Sequence, residues 1–324
     1  MIVLTCLGLL VLLFLLGPRA QVNTAERQIN SDIPDQLDLL PQWLQANESK
    51  LGNVVPGAEK QILWATPDHP QQTDIAVLYL HGFSATRREI SPVPERVAQA
   101  LNANVYLTRL PGHGRGSEAM TNATASDWID GAWESWQIAA KLGRKVVVIA
   151  VSTGAPLDVW LLHQPGVRDR TLANIYVSPN FAVNNKASFL LAWPWSKYWV
   201  PLIIGKQYSW EPKDELQARY WTTSYGVQVL SQLQALLNWA DKQDYAAMQV
   251  PILFIHNHKD KVVDPRAADR VFAAWGGFKK HVEVFASDDV NNHVIVGDIM
   301  HPENNEVVVQ NILAFLQSIP AQQD

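Results

Sequence analysis

The stretch Val147-Val148-Ile149-Ala150-Val151-Ser152-Thr153-Gly154-Ala155 decides the fold of this chain. Its first five residues are apolar, mostly β-branched and uncharged, which predicts a buried strand of a parallel sheet that is covered on both faces. The abrupt change at Ser152 predicts a sharp turn from that strand into a helix, with the serine hydroxyl raised above the carboxyl edge of the sheet. The alternative is an ordinary strand-to-helix loop in which the polar residues cap the helix.

The predicted turn needs small residues on both sides of the serine, because the strand and the helix pass close to each other there. Gly154 meets this need on the helix side. Ala150 occupies the position where the usual pattern has its first glycine, so the turn departs from that pattern by one methyl group.

Two earlier apolar segments also run into short turns that contain histidine and glycine. Residues 75–80 lead into His81-Gly82-Phe83-Ser84, and residues 104–108 lead to Leu110-Pro111-Gly112-His113-Gly114. The three motifs together are far more specific than any one of them alone.

With these motifs the chain resembles the α/β-hydrolase superfamily, in particular its carboxylesterase and monoacylglycerol-lipase-like serine hydrolases. Those enzymes carry an apolar strand ending in His-Gly, then a Gly-His-Gly turn, then the serine turn, in the order found here. The resemblance extends from about residue 54 to residue 316 and is weakest between residues 181 and 246.

Strand-like and helix-like segments alternate along the chain, which predicts an α/β fold with a mostly parallel, doubly wound sheet and helices on both faces. The predicted strands are 75–80, 105–107, 145–151, 174–177, 252–255 and 281–285. The predicted helices are 92–101, 126–141, the segment after Ser152, 267–275 and 304–317.

This alternation stops between residues 181 and 246, a segment without strand signals that is rich in tryptophan. The resemblance implies a helical cap at 181–246. We therefore predict a signal or anchor segment at 1–20, an N-terminal extension at 21–70 and an α/β-hydrolase core at 71–180 and 247–324. The tryptophans of the cap either hold its helices on the core or line an apolar pocket over the serine. They are Trp193, Trp195, Trp199, Trp210, Trp221 and Trp239.

The amino-acid composition and the absence of certain motifs argue against several classes of function. The 324 residues are 48% hydrophobic, which suits a large packed core, and the net charge of -5 gives no reason to expect a nucleic-acid partner. No glycine-rich phosphate loop or dinucleotide fingerprint is present, so no cofactor is expected. The single cysteine, Cys6, excludes an internal disulfide.

The N-terminus carries an apolar run at residues 2–16, which is shorter than the ~20 residues that span a bilayer comfortably. Its length fits the core of a signal peptide. No basic residue precedes the run, and Pro18-Arg19-Ala20 makes a poor cleavage site, which favours an uncleaved anchor slightly. We therefore expect membrane association through residues 2–16 and a membrane-anchored, periplasmic or secreted protein.

The resemblance implies a catalytic triad in the chain order serine, carboxylate, histidine. Ser152 is the nucleophile, and Asp260 follows the strand at 252–255 in the position of the acid. Asp264 is the alternative acid, although it can also cap a helix that begins at Pro265. His293 is the base, and its rival His301 precedes a proline in a loop and is expected at the surface.

An acyl-transfer reaction also needs hydrogen-bond donors for the oxyanion of its tetrahedral intermediate, and each such donor is worth about 10²–10³ in rate. The backbone N–H of Thr153, the residue after the nucleophile, is one expected donor. The resemblance implies that the N–H of Phe83 is the other.

The residues His256-x-His258-x-Asp260 also have the spacing of a binuclear metallohydrolase motif, and imidazole and carboxylate groups suit zinc. That motif continues with histidine after the aspartate, whereas Lys261 follows here and would repel a cation. We therefore expect no metal in the reaction.

These observations favour a serine hydrolase that cleaves a carboxylic ester, with an acyl chain or a lipid-like substrate, through an acyl-enzyme on Ser152. The same triad serves peptidases, amidases and thioesterases, so these remain alternatives. A non-catalytic binding protein with the same fold is a third interpretation, supported only by the alanine at position 150.

Overall fold

A seven-stranded sheet forms the centre of the computed structural model, which describes residues 2–285 and 290–320. The strands in chain order are β1 (Gln61–Leu63), β2 (Thr73–Leu80), β3 (Asn104–Leu107), β4 (Gly143–Val151), β5 (Thr171–Val177), β6 (Gln207–Ser209), β7 (Ser224–Gly226), β8 (Ile252–His256) and β9 (Lys279–Glu283). Their order in the sheet is β1-β3-β2-β4-β5-β8-β9, in which β1 runs antiparallel to β3 and the other neighbours are parallel. The short strands β6 and β7 form a separate antiparallel pair.

The helices lie between the strands in the alternating order that the sequence predicts. They are α1 (Ile2–Leu15), α2 (Leu40–Ser49), α3 (Val93–Ala100), α4 (Gly116–Asn122), α5 (Ala125–Leu142), α6 (Gly154–Leu161), α7 (Val167–Arg170), α8 (Ser196–Ile204), α9 (Glu215–Tyr220), α10 (Gln228–Ala240), α11 (Pro265–Ala274) and α12 (Asn305–Ser318). Single 3₁₀ turns occur at Leu37–Leu39, Ser188–Ala192, Tyr245–Ala247 and Pro302–Asn304.

Both faces of β4 are buried, which explains its uninterrupted apolar sequence. Val148 and Ala150 face one core, in which α5, α6, α10 and α11 pack on the sheet. Val147, Ile149 and Val151 face the other core, which α3 and α12 cover. The predicted mostly parallel sheet with helices on both faces is therefore confirmed.

The segment 21–70 adds two elements to this core. Leu40 and Leu44 of α2 are buried, and β1 pairs with β3 at the edge of the sheet. A buried ion pair joins α2 to the core, since Nε and Nη2 of Arg109 each lie 2.7 Å from a carboxylate oxygen of Glu48. The extension is thus fixed to the sheet rather than loosely tethered.

The segment 181–246 contains α8, α9 and α10 together with the β6–β7 pair. No strand was expected there, and this expectation is wrong for two segments of three residues each. Segments this short carry too few side chains to show the alternation by which a strand is identified in a sequence.

The N-terminal helix α1 contacts the segment 181–246. The ring of Phe14 meets Trp193 edge to face at 6.4 Å, and the backbone N–H of Trp195 donates to the carbonyl oxygen of Pro18 at 2.7 Å. Among the residues that the structure describes, no helix combines the length and the hydrophobicity needed to cross a bilayer.

Candidate active site

Ser152 lies at the sharp turn between β4 and α6, with a left-handed backbone φ of 50°. Its N–H donates to the carbonyl oxygen of Val177 at 3.0 Å, and its own carbonyl oxygen accepts from the N–H of Asn180 at 3.0 Å. A Cβ atom on Gly154 would lie 2.4 Å from the carbonyl oxygen of Leu80, so only glycine lets α6 approach β2 this closely. The predicted need for a small residue after the serine thus has a specific physical cause.

The three residues predicted as a triad form one hydrogen-bonded chain. His293 Nε2 lies 3.1 Å from Ser152 Oγ, and His293 Nδ1 lies 2.7 Å from Asp260 Oδ2. Ser152 is only 5% exposed and Asp260 is buried, so little water competes for these bonds. Both distances are within the range that proton transfer from a nucleophile to a base requires.

Both carboxylate oxygens of Asp260 accept hydrogen bonds. Oδ1 accepts from the backbone N–H groups of Val262 and Val263 at 2.8 and 2.9 Å, which leaves Oδ2 facing His293. Because a carboxylate only accepts, the proton of the neutral imidazole resides on Nδ1, and Nε2 is left to accept the serine proton.

The alternative acid, Asp264, has a different role. It is the N-cap of α11, where its side chain accepts from the backbone N–H of Arg266 at 3.1 Å and from the Arg266 guanidinium at 2.8 Å. These bonds with Arg266 hold the pKa of the Asp264 carboxyl below its usual value. The structure thus favours Asp260 over Asp264 as the partner of the base.

The rival base, His301, is also occupied elsewhere. Its Nδ1 lies 2.8 Å from Glu303 Oε1, and its backbone N–H donates to the carbonyl oxygen of Gly297. The expectation that His301 lies at the surface is wrong, because the side chain is buried. The proline after it marks a turn, but the turn folds the ring inward instead of exposing it.

The loop after β2 lies directly beside the nucleophile. A Cβ atom on Gly82 would lie 3.0 Å from the Cβ of Ser152, so the absence of a side chain permits this approach. Within the described parts of the chain, the backbone N–H groups of Phe83 and Thr153 donate to no protein acceptor. They are therefore available to the oxyanion of a substrate bound at Ser152.

Two buried histidines brace this loop. Leu110 donates its backbone N–H to His81 Nε2 at 2.9 Å, and His81 Nδ1 donates to the carbonyl oxygen of Gly82 at 2.9 Å. The ring of His113 lies 5.0 Å from that of His81. Burial lowers the pKa of His81 well below its usual value and that of His113 to about 4, so both are neutral supports that join the His-Gly and Gly-His-Gly turns.

Glu89 is a further support that the sequence analysis missed. Its Oε2 accepts from the backbone N–H of Gly82 at 2.7 Å and from the hydroxyl of Tyr79 at 3.3 Å. Burial raises the pKa of the Glu89 carboxyl to about 7, with the bond from Gly82 opposing the rise. Nothing in the sequence around position 89 distinguishes this glutamate from an exposed one.

Ionisation of Glu89 has an expected effect on stability. A carboxyl with a raised pKa contributes stability that is fully present below its ordinary pKa near 4.5 and is lost as the pH rises through about 7. The loss reaches up to about 3 kcal/mol, at about 1.4 kcal/mol per pKa unit. Glu89→Gln keeps an acceptor for Gly82 and cannot ionise, so its free energy of unfolding falls less between pH 5 and pH 8.

Urea unfolding at the two pH values measures this difference. The matched control is Glu118→Gln, which changes an exposed glutamate and leaves the pH dependence of the wild type unchanged. If Glu89→Gln and the wild type lose the same free energy between pH 5 and pH 8, Glu89 does not titrate in this interval.

The segment 181–246 is attached to the loop that carries Phe83. The N–H of Thr222 donates to the carbonyl oxygen of Ser84 at 2.7 Å, and the rings of Phe83 and Tyr225 meet edge to face at 5.4 Å. The β6–β7 pair therefore packs on the loop that supplies an expected oxyanion donor.

The beginning of the same segment is attached to the loop that carries the acid. The N–H of Asp264 donates to the carbonyl oxygen of Ala182 at 2.7 Å. Asn184 donates its N–H to the carbonyl oxygen of Val262 at 2.9 Å and its side-chain amide to that of Asp260 at 3.2 Å. The segment thus bridges two loops of the candidate active site.

The tryptophans of this segment differ in their surroundings. Trp221 is buried, and Trp239 packs edge to face on His163 at 5.7 Å. Trp193 and Trp195, by contrast, are exposed near α1. These four side chains thus serve packing or lie at the surface.

The residues of the His256-x-His258-x-Asp260 motif, which the sequence analysis rejected as a metallohydrolase site, do not form one group. Asp260 faces His293, whereas His256 and His258 direct their Nε2 atoms at Oδ1 of Asp269, at 3.1 and 3.3 Å. The two histidines therefore belong to a cluster separate from the hydrogen-bonded chain of Ser152.

Comparison with known proteins places this geometry in context. The profile of the Alpha/beta hydrolase family matches residues 77–306. The thermostable monoacylglycerol lipase of Bacillus sp. (strain H-257) is 31% identical over 104 residues, which are 32% of this chain and 41% of that enzyme. The match thus spans less than half the length of this relative.

Solved structures show the same fold at lower identity. A structure from the metagenome-derived lipolytic enzymes LipS and LipT covers 82% of this chain and 99% of its own, with a TM-score of 0.64 and 19% identity. Monoacylglycerol lipase from Paleococcus ferrophilus covers 80% of this chain and 98% of its own, with a TM-score of 0.55 and 15% identity.

Proposed function

Because the chain belongs to the alpha/beta hydrolase family, we propose that it is a serine hydrolase that cleaves carboxylic esters through an acyl-enzyme on Ser152. The observation that carries this proposal is the hydrogen-bonded chain from Ser152 Oγ through His293 to Asp260, with distances of 3.1 and 2.7 Å. A serine hydroxyl is a weak nucleophile until a positioned base removes its proton. This arrangement provides such a base and an acid that orients it.

In the first half of the proposed reaction, Ser152 Oγ attacks the ester carbonyl carbon while His293 Nε2 takes the hydroxyl proton. The N–H groups of Phe83 and Thr153 stabilise the oxyanion of the tetrahedral intermediate. The bond from the carbonyl carbon to the alcohol oxygen then breaks, and His293 returns its proton to that oxygen. The products are the free alcohol and an ester of the acyl group with Ser152.

In the second half, His293 removes a proton from water, and the resulting hydroxide attacks the acyl-enzyme carbonyl. The bond to Ser152 Oγ breaks, and His293 gives the proton back to the serine. Asp260 stabilises the imidazolium in both halves and keeps its own charge. The carboxylic acid leaves, and the enzyme returns to its starting state.

The proposed substrates are esters of medium or long acyl chains. Two observations support this choice: the relative from Bacillus is a monoacylglycerol lipase, and the segment 181–246 presents an apolar surface. Leu202 and Ile203 at the end of α8 are 82% and 72% exposed. Large exposed apolar surfaces mark sites of contact with lipids or other partners.

We propose further that this surface lies against a membrane, together with residues 2–16. Phe14 of α1 contacts Trp193, which precedes α8 by three residues, and Leu12 and Leu16 of the segment 2–16 are exposed, so this segment adds apolar surface near the start of α8. A helix can bind at the bilayer interface without crossing it. The chain body would then be membrane-anchored, or periplasmic or secreted after release.

Hydrolysis of p-nitrophenyl acetate, butyrate, octanoate and laurate by the full chain tests the acyl preference. We expect kcat/KM to rise by more than about tenfold from acetate to octanoate, because each buried methylene contributes about 0.8 kcal/mol. A kcat/KM that peaks with acetate and falls steadily with chain length would instead show that the segment 181–246 closes the acyl site.

The same assay with monoacylglycerol in phosphatidylcholine vesicles tests the membrane surface. The double variant Leu202→Glu/Ile203→Glu should lose activity on vesicles and keep its activity on soluble p-nitrophenyl butyrate. Val307→Glu, an exposed apolar position on α12, is the matched control and should affect neither. Equal vesicle activity in the double variant and the wild type would exclude α8 from membrane contact.

A further inference from the structure

A cluster of histidine and carboxylate side chains at the carboxyl end of β8 takes no part in the proposed reaction. We propose that this cluster, His256, His258, Asp269, His281 and Glu283, binds a first-row transition metal ion of the Zn²⁺ type. The ligands are Nε2 of His256, Nε2 of His258 and a carboxylate oxygen of Asp269. The bound ion holds the loop that carries the catalytic acid in place and does not touch the substrate.

The three ligand atoms already converge. Asp269 Oδ1 lies 3.1 Å from His256 Nε2 and 3.3 Å from His258 Nε2, and one donor atom from each residue lies within 4.8 Å of the others. Bonds of zinc to nitrogen and oxygen are about 2.0–2.2 Å long, so neighbouring ligands of a tetrahedral site are roughly 3.4 Å apart. The two observed separations are close to that edge length, and an ion fits with little movement of the side chains.

Each ligand comes from a different element. His256 ends β8, His258 lies in the loop after it, and Asp269 lies in the middle of α11. His256 is 2% exposed, whereas the side chain of His258 is 45% exposed. His256 is thus a ligand fixed in the core, whereas His258 faces the solvent from which an ion can enter.

A carboxylate also orients one of the ligands. His258 Nδ1 lies 3.1 Å from Glu283 Oε1, and because the carboxylate accepts, Nδ1 carries the proton. His258 Nε2 lies 3.3 Å from the Asp269 carboxylate, which also accepts, so a bound ion takes the place of the proton between these two atoms. A carboxylate behind a ligating histidine is the arrangement that commonly fixes the tautomer in metal sites.

His281 lies beside this group, although its nitrogens are not among the donor atoms that converge within 4.8 Å. Its ring lies 4.4 Å from that of His256 and 5.6 Å from that of His258, measured between centroids. Within the described residues, His281 Nε2 is buried and has no hydrogen-bond partner. Imidazole and carboxylate donors together suit zinc and the neighbouring transition metals, whereas calcium and magnesium prefer oxygen ligands alone.

The cluster is joined to the active site through the continuous backbone and two hydrogen bonds of Asn257. His258 precedes Asp260 by two residues, and the N–H of Asp260 donates to the carbonyl oxygen of Asn257 at 3.0 Å. The side-chain amide of Asn257 also donates to Asn292 Oδ1 at 2.8 Å, next to His293. An ion bound to His256 and His258 therefore restrains residues 256–260, which include Asp260 and contact the loop of His293 through Asn257.

Titration calorimetry with Zn²⁺ on the full chain, prepared without a polyhistidine tag and freed of metal by a chelator, tests the proposal. We expect one ion per chain. His258→Ala and Asp269→Asn should weaken Zn²⁺ binding about 100-fold or more, and Glu283→Gln should weaken it about 10–100-fold. His69→Ala removes an exposed histidine outside the cluster and should bind Zn²⁺ like the wild type.

Thermal unfolding gives a readout that does not depend on catalysis. At a Zn²⁺ concentration about 100 times its Kd, the midpoint of the wild type should rise by roughly 3–6 °C. Ser152→Ala should show the same rise, since Ser152 is not a ligand, and His258→Ala should show none. Failure of the esterase proposal would leave these results unchanged.

Two results would overturn the proposed metal site. One is the absence of saturable Zn²⁺ binding by the wild type. The other is equal Zn²⁺ affinity in the wild type, His258→Ala and Asp269→Asn, which would place the ion elsewhere on the surface. His258 is well exposed, so its replacement by alanine leaves the folded core intact and keeps the comparison valid.

Discussion

Ser152→Ala is expected to lower kcat for p-nitrophenyl butyrate by about 10⁶-fold, the loss seen when a nucleophile of this kind is removed. The change deletes only the Oγ atom that lies 3.1 Å from His293 Nε2. Alanine keeps the Cβ, so the backbone at φ 50° tolerates it as it tolerates serine. Near-ultraviolet circular dichroism should show an unchanged fold.

The matched control is Ser178→Ala. Ser178 follows β5, is buried and has a similar left-handed φ of 44°, but it has no place in the hydrogen-bonded chain. Its variant should keep wild-type activity. More than a few per cent of wild-type activity in Ser152→Ala would contradict the assigned nucleophile, and a wild type that a fluorophosphonate probe does not label would favour the non-catalytic interpretation.

His293→Ala should be about as damaging as Ser152→Ala, because a nucleophile and its base act as one unit. For the same reason, the double variant should be little worse than either single variant. Asp260→Asn keeps the shape of the acid but favours the wrong imidazole tautomer, and a loss of about 10⁴-fold in kcat is expected.

Asp264→Asn is the control for the acid, since Asp264 caps α11. Its kcat should stay within a few-fold of the wild type, and its stability should change little, because asparagine caps a helix about as well as aspartate does. A greater loss of kcat in Asp264→Asn than in Asp260→Asn would reverse the assignment of the acid.

If the loss of activity in the Ser152 and His293 double variant equals the product of the two single losses, the two residues act independently.

Those parts of the fold could be predicted from the sequence in which a short pattern of residues has a single physical explanation. β4 is apolar on both faces because helices cover both, and Gly154 is required because the Leu80 carbonyl leaves no room for a Cβ. The three residues of the hydrogen-bonded chain follow strand ends in the order that the resemblance implies. A parallel sheet brings those ends together at one edge, so their proximity follows from the fold.

The sequence does not predict features that depend on contacts between distant or unpatterned residues. Glu89 receives its role from the N–H of Gly82, and no motif connects the two positions. His256 and His258 pair with Asp269 because α11 packs beside β8, whereas their spacing in the sequence suggested Asp260. β1, β6 and β7 have three residues each, too few to show a period.

The order of the strands also governs when activity appears during folding. Ser152 and His293 are separated by 141 residues, and the loops that carry Asp260 and His293 follow β8 and β9, the last strands of the sheet in the sequence. Contacts between residues so far apart form slowly, because a long stretch of chain must be ordered first. A chain still being synthesised therefore holds its proposed nucleophile without the proposed base, and recovery of the proposed esterase activity after denaturation would report the completion of folding.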